Sequence, residues 1–233
     1  MSRRLAHPRK GGWKGQQRMI LCVGLTGALA SGKGSVAETL STLARERGLK
    51  VAYYSLSDEI RREVKRRGIQ LERDALKRTA NEFRSKFGNG IWARMVASKI
   101  KEEHSMPIED AQMLIIIDAI RNIGEVQELR LQFGNQFRLL AVTAPRQVMQ
   151  ENLLRRRRHD ESKQALLDEG ELGRLIDTEM GVGEPDFGHS VAACIEAADW
   201  PPIENDGTLE DLERKAALLA QQHIFPLFAG AGA

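Results

Sequence analysis

Ile20-Leu-Cys-Val-Gly-Leu25, then Thr26, then Gly27-Ala-Leu-Ala-Ser-Gly32-Lys33-Gly34-Ser35, then Val36-Ala-Glu-Thr-Leu40 and on to Arg47, is the stretch that decides the fold. Its first part is a continuous apolar run of strand length. Its middle is a glycine-rich turn, and its last part reads as a helix that Gly48 stops. Backbone amides in such a turn, and at the helix N-terminus behind it, point inward and hold anionic oxygens. Glycines remove the Cβ atoms that would keep a phosphate at a distance. Gly27, Ala28, Leu29, Ala30, Ser31, Gly32, Lys33, Gly34 and Ser35 therefore form the expected cradle for the phosphates of a nucleoside triphosphate, with ATP the expected one. Lys33 supplies a mobile positive charge near the β- and γ-phosphates. The spacing G-x-x-x-x-G-K gains its specificity from lying between an apolar strand and a helix.

Outward from that stretch, strands and helices alternate. Val51–Ser55 reads as a second strand, and Ser57 as the cap of a helix with Asp58 and Glu59 in its first turn, ended by Gly68. Helices are expected over 72–87 and 90–103. Met113–Ile117 is the most apolar segment and reads as a central buried strand ended by Asp118. A helix over 123–132, a strand over 137–142 and a helix opened by Pro145 follow. That helix runs into Arg155–Arg158, where a polar, weakly periodic stretch to residue 186 reads as a mobile insertion. A helix over 188–197, a short strand over 199–204, the turn Asn205-Asp-Gly-Thr208 and a helix over 209–222 complete the chain. The pattern implies an α/β fold of three layers, a parallel five-stranded sheet with helices on both faces. Ligands of such sheets bind at the carboxyl ends of the strands. The phosphate loop, Asp58 and Asp118 all fall there.

Residues 1–18 read as a flexible basic tail, 19–222 as one domain with a lid at about 155–186, and 223–233 as a frayed terminus rich in Gly and Ala. The 233 residues suit such a domain. The net charge of +3 misleads, because Arg3, Arg4, Arg9, Lys10, Lys14 and Arg18 lie in the tail with no acid beside them. The remaining chain carries 29 basic against 32 acidic groups. It shows no global bias toward nucleic acid, and no nucleic-acid partner is expected. The tail, the apolar run from Met19 and Ala28-Leu-Ala30 together imitate an export signal, but cleavage there would remove the phosphate-loop glycines. No stretch of 18 apolar residues exists to span a membrane. Two cysteines so far apart, Cys22 and Cys194, make no disulfide framework. They read as buried thiols in a reducing, cytoplasmic compartment.

Gly24-Leu-Thr-Gly27 with its loop resembles the start of dephospho-CoA kinases and related P-loop nucleotide kinases, and Gly-Lys-Gly-Ser is similar to the Gly-Lys-Gly-Thr of adenylate-kinase-type enzymes. Leu56-Ser-Asp58-Glu-Ile-Arg61 resembles the acceptor-binding segment of nucleoside monophosphate kinases, and Asp118-Ala-Ile-Arg121 the segment after their third strand. Asn205-Asp-Gly-Thr208 resembles the turn near the adenine in dephospho-CoA kinases, which implies nucleotide contacts for Asn205 and Gly207. The chain as a whole resembles the P-loop domain fused ahead of deoxycytidylate-deaminase-like modules and an uncharacterised archaeal kinase-like family. The resemblance covers about 19–222. It implies an ATP- and Mg²⁺-dependent kinase acting on a small nucleotide-like acceptor, or a nucleotide sensor working with a partner protein. The deaminase chemistry itself is excluded: His159-Asp-Glu161 matches half of its zinc motif, and no Cys-x-x-Cys exists.

Roles follow for single residues. Lys33 would stabilise charge on the transferring phosphoryl group. Asp58 would orient the attacking group, as a similarly placed Asp does in dephospho-CoA kinases; otherwise it is a helix N-terminal acid favoured by the dipole. Arg61, Arg84 and Arg121 are candidates for gripping an acceptor phosphate, against the alternative of a solvated helix face. Asp118 would hold Mg²⁺ or cap the next helix. Ser35 would be the other metal ligand, since Gly34 stands where a Ser or Thr usually follows the lysine. In nucleotide kinases the arginines of the lid close over the triphosphate, which implies that role for Arg155 and Arg158. Four adjacent arginines at about 100° per residue cannot all face one site. A solvated basic turn or an RNA contact are the alternatives there.

Overall fold

The computed structural model describes residues 19–104, 112–158 and 169–229. The basic tail, His159–Glu161 and the last four residues lie outside the described residues. The strands are β1 (Met19–Thr26), β2 (Lys50–Ser55), β3 (Gln112–Ile120), β4 (Phe137–Thr143) and β5 (Ile203–Glu204). The helices are α1 (Lys33–Glu46), α2 (Leu56–Arg66), α3 (Arg73–Phe87), α4 (Ile91–Glu103), α5 (Ile123–Phe133), α6 (Arg146–Arg158), α7 (Glu169–Met180), α8 (Val191–Glu196), α9 (Leu209–Leu219) and α10 (Phe225–Ala229).

Five parallel strands form one sheet in the order β2-β3-β1-β4-β5. Successive side chains of a strand point to opposite faces, so each apolar run fills two cores at once. Leu21, Val23, Leu25, Leu114, Ile116, Leu140 and Val142 pack against α1 and α9. Cys22, Ile115, Ile117, Phe137 and Leu139 pack against α2, α4, α5 and α8. Each fully buried Leu or Ile contributes about 1.5–3 kcal/mol. The expected three-layer α/β fold is therefore observed, and the most apolar segments are the central strands. Among the described residues no helix is long and apolar enough to cross a membrane.

Several local expectations are corrected. Residues 223–229 are not frayed: a π-helical turn over Ala220–Ile224 leads into α10. Ile224 and Phe228 are buried in the first core, and Gln112 Nε2 donates to Phe228 O at 3.1 Å. The apolar spacing of those residues outweighs the Gly and Ala around them. The insertion from 169 onward is no loose loop either. α7 buries Leu172 and Ile176, the latter packing with Met149 against Ala28 of the phosphate loop. Residues 159–168 of the expected lid lie outside the described residues. Ser57 does not cap α2, which starts at Leu56 after Ser55 with no side-chain cap.

Asp118 does not end β3. The strand continues to Ile120 with one extra residue, since Gly24 pairs with Ile117 but Thr26 with Ile120. Ala119 takes φ 64° there. An unpaired extra residue bends its strand, and left-handed backbone at a residue with a Cβ costs about 1–3 kcal/mol and concentrates at functional sites.

Candidate functional site

The loop between β1 and α1 has a backbone that only its own sequence permits. Gly27 adopts φ 142°, and a Cβ on it would lie 2.1 Å from Val142 O on the neighbouring strand. Gly32 adopts φ 104°, and its Cβ would meet Asn205 Nδ2 and Leu212 Cδ2 at 2.8 Å. The loop carbonyls are tied back by donors: Lys33 Nζ to Gly27 O at 2.7 Å and Ala28 O at 2.8 Å, Asn152 Nδ2 to Ala30 O at 3.1 Å, and Asn205 Nδ2 to Ser31 O at 3.1 Å. The amides of Gly34 and Ser35 are left open. Gly32 caps α1 with no side-chain hydrogen bond, and among the described residues no acceptor takes the amides of Gly34 or Ser35. No acid stands in the first turn. Around Gly34 a Cβ would meet nothing within 4 Å. Carbonyls turned away and amides turned out give this junction the polarity of an anion site.

Asp118 stands one strand away from β1. Its Oδ2 accepts from Tyr53 OH at 2.8 Å, and its Oδ1 is buried without a partner. Burial, then the charge of Asp118, push the Tyr53 phenol well above its ordinary range, so it stays a donor. The capping alternative for Asp118 is excluded. Asn122 caps α5, its side chain accepting from Gly124 N at 2.8 Å, and Glu125 closes the capping box.

A cleft of about 400 Å³ opens beside the loop, bounded by Leu29, α2, α3, α7, Arg121 and His189. Arg61, Arg73, Lys77, Arg121 and Arg174 line it against Asp74, Glu171 and Glu179. Glu179, 4% exposed, sits at its base. Its carboxylate lies 3.2 Å from Arg121 Nε, 3.3 Å from Arg73 Nη2 and 3.9 Å from His189 Nδ1. Burial raises the Glu179 carboxyl pKa, but Arg121, His189, Arg73 and Lys33 together outweigh that and hold it below the usual carboxylate range. Burial lowers His189 to about 4, against the pull of Glu179. The imidazole is therefore neutral at pH 7, and its contact with Glu179 is no ion pair there.

The expected residues distribute unevenly. Leu29, Arg61 and Arg121 line the cleft. Arg84 does not: it is 2% exposed and donates from Nε and Nη2 to Glu125 Oε1 at 3.1 and 2.8 Å. Glu125 Oε2 in turn accepts from the amides of Arg121 and Asn122 at 2.8 and 3.1 Å. Arg84 therefore cannot grip an acceptor; it holds the carboxylate that sets the backbone carrying Arg121. Asp58 is 60% exposed, pairs with Arg61 at 2.8 Å and lines a separate groove with Tyr53 and Lys99. Asn205 is buried and braces the loop, and Gly207 packs against the Asp211 carboxylate in the turn before α9. Ser35 is half-buried in the first turn of α1 and Arg155 is exposed on α6. The side chain of Arg158 lies outside the described residues. Both cysteines are free and buried, and burial pushes each thiol up to about 12.

Residues 26–168 match the family model described as an AAA domain. A UPF0200 protein of Aeropyrum pernix is 32% identical over 203 residues, which cover 86% of this chain and 94% of that protein. The chain belongs to the UPF0200 family, with an AAA domain. A UPF0200 protein of Pyrococcus horikoshii is 30% identical over 198 residues, covering 84% and 92%. A UPF0200/UPF0201 protein of Archaeoglobus fulgidus is 31% identical over 196 residues, and this chain spans 53% of its length. Among solved structures, shikimate kinase from Acinetobacter baumannii in complex with shikimate has a TM-score of 0.43 at 17% identity, covering 88% of this chain and 96% of that one. A gluconokinase from Sinorhizobium meliloti 1021 has a TM-score of 0.43 at 14%, covering 90% and 99%. Those two likenesses are too distant to bear on the reaction.

Sequence reasoning missed Glu179, His189 and Arg73 in this UPF0200 chain. Glu179 falls in the stretch read as a mobile insertion, and His189 in the helix expected over 188–197. The one available signal was the spacing of Leu172, Ile176 and Met180, which marks a buried helix face.

Proposed function

We propose that this protein is an ATP-dependent phosphotransferase acting on a small, anionic, nucleotide-like acceptor. One observation carries the reading. Among the described residues the buried side-chain polar atoms without a hydrogen-bond partner are Ser31 Oγ, Asp118 Oδ1, Arg121 Nε, Glu179 Oε2 and His189 Nδ1. They come from the phosphate loop, the end of β3 and the cleft beside them. Each such atom costs about 1–3 kcal/mol, and natural proteins keep few of them without a reason. A polar ligand spanning loop and cleft would satisfy the set.

In this reading the open amides of Gly34 and Ser35, at the N-terminus of α1, bind the triphosphate. Lys33 leaves the loop carbonyls for the β- and γ-phosphate oxygens. An acceptor oxygen forms the new bond to the γ-phosphorus as the bond to the β–γ bridging oxygen breaks, ADP leaves, and the acceptor's proton passes to a base or to water. Positioning and charge neutralisation supply most of the acceleration in such transfers. Arg121, with Arg61 and Arg73 at the cleft wall, draws in the anionic acceptor. Arg155, with Arg158, would close over the phosphates.

Asp118 fits a hard cation through its unpartnered oxygen, with Ser35 as a second oxygen donor. Among the described residues no group of three or more His, Cys, Asp or Glu is gathered to hold a metal. A Mg²⁺ ion would therefore take most of its ligands from the phosphates and water, neutralising phosphate charge as it does so. The test is ADP release from ATP and Mg²⁺ with a panel of nucleoside monophosphates and dephospho-CoA. Acceptor-dependent ADP is the expected result. ATP binding without turnover on any of them would favour a sensor that works with a partner protein and would count against a kinase.

A further inference from the structure

Nε of Arg121, Oε2 of Glu179 and Nδ1 of His189 are buried atoms without hydrogen-bond partners, and their residues all line the cleft. Arg121 Nε and Glu179 Oε2 are only 3.2 Å apart, yet the pair lacks the alignment of a hydrogen bond. Other arginine–carboxylate pairs in the molecule are aligned. Arg84 makes two bonds to Glu125, and Arg146 forks onto Asp177 at 2.8 and 3.0 Å. A pair serving only to stabilise the fold would be expected to align as those do. A guanidinium only donates and a carboxylate only accepts. Just beneath the lining of the cleft, one donor and one acceptor therefore face each other as an ion pair, each without a hydrogen bond.

The charge around them completes the pattern. Five basic side chains line the cleft against three acidic ones; Asp58 and Glu184 pair with Arg61 and Lys77 from outside that lining, so attraction of an anion falls to Arg73, Arg121 and Arg174. Glu179 nevertheless places a buried negative charge at the point where that anion would rest. A plain anion would meet repulsion there, whereas an anion with a hydrogen-bond donor next to its charge would satisfy both groups. We infer that the acceptor is a hydroxylated anion, with its charged group on Arg121 and an adjacent O–H, or an N–H in its place, donating to Glu179 Oε2. Glu179 is then the residue that separates such acceptors from simple phosphates. The inference rests on the phosphotransferase reading, because Leu29 of the phosphate loop also lines this cleft and Lys33 acts electrostatically on Glu179.

The test uses the full chain. ADP with Mg²⁺ is titrated first by calorimetry; failure to bind would sink the nucleotide reading itself. With ADP saturating, at about pH 8 where a phosphate monoester is a dianion without an O–H, glycerol 3-phosphate, ribose 5-phosphate and AMP are compared with methyl phosphate and sulfate. At least one hydroxylated phosphate should bind tenfold or more tightly than methyl phosphate. Glu179→Met removes the acceptor atom and the repulsion together, so that ratio should collapse to threefold or less. Glu179→Asp keeps the charge but draws it back by one methylene; it should also lose most of the ratio, and it carries the test if the Met variant fails to fold. Bound ADP with no preference in the wild type, or a preference that survives in a folded variant, would overturn the inference and leave the phosphate loop untouched.

Discussion

Two glycine-to-alanine changes seven residues apart should move stability in opposite directions. At Gly27 the new Cβ would lie 2.1 Å from Val142 O, a backbone atom of β4 where that strand pairs with β5, and φ of 142° is one that an alanine rarely adopts. The backbone strain costs about 1–3 kcal/mol and the overlap about 1–3 kcal/mol. Gly27→Ala should therefore destabilise the fold by on the order of 3 kcal/mol. At this chain length that lowers the melting temperature by roughly 6–12 °C. The loop must also move off β4, so ATP binding should be lost with it. At Gly34 a Cβ meets nothing within 4 Å, and the residue already lies in the first turn of α1. Gly34→Ala there restricts the unfolded chain and should stabilise by about 0.4–1 kcal/mol, or roughly 1–4 °C. Circular-dichroism melts with ATP titration of both variants decide the matter. Equal melting temperatures, or a Gly27→Ala variant that binds ATP like the wild type, would refute this account of the loop.

Other expectations follow from the same contacts. Lys33→Ala should weaken ATP binding or transfer by about 1.5–3 kcal/mol, read by calorimetry, with the melting curve little changed. Arg84→Met leaves the buried Glu125 carboxyl without its guanidinium partner, so it should lose about 3–5 kcal/mol of stability. The double variant Arg84→Met with Glu125→Gln should recover part of that loss in denaturant titration. His189 gives a pH signature. The unfolded imidazole takes its proton near its ordinary 6.5, while the folded one resists until about 4. Over that window the unfolded chain binds more protons, so stability falls as pH is lowered from 6.5 toward 4. His189→Asn should flatten that part of the profile in melts taken across the range.

The phosphate loop was legible because its constraint is local. A strand-length apolar run, glycines at Gly27 and Gly32, and Lys33 behind them have few other uses together. The central strands were equally legible, since burial on both faces demands unbroken apolar runs such as Met113–Ile117. The cleft was not. Arg61, Arg84 and Arg121 look alike as letters, and each is an arginine near a helix start or within one. Whether an arginine meets a ligand or a buried carboxylate depends on what another element brings to it. Glu125, forty-one residues from Arg84, claimed that one for the interior.

The amino-acid sequence by itself determined the strand–loop–helix junction, the alternation that builds a parallel sheet, and the open backbone that glycine alone permits near a phosphate. These depend on covalent geometry and on side-chain period, which any short window displays. Only the tertiary structure decided that α7 packs down beside the phosphate loop and carries Glu179 to Arg121, that Ile224 and Phe228 close the core where the chain reads as loose, and that Arg84 is a brace. Those outcomes come from contacts between residues far apart in the chain. Their strength depends on burial, which deepens every charge interaction and is a property of the folded whole.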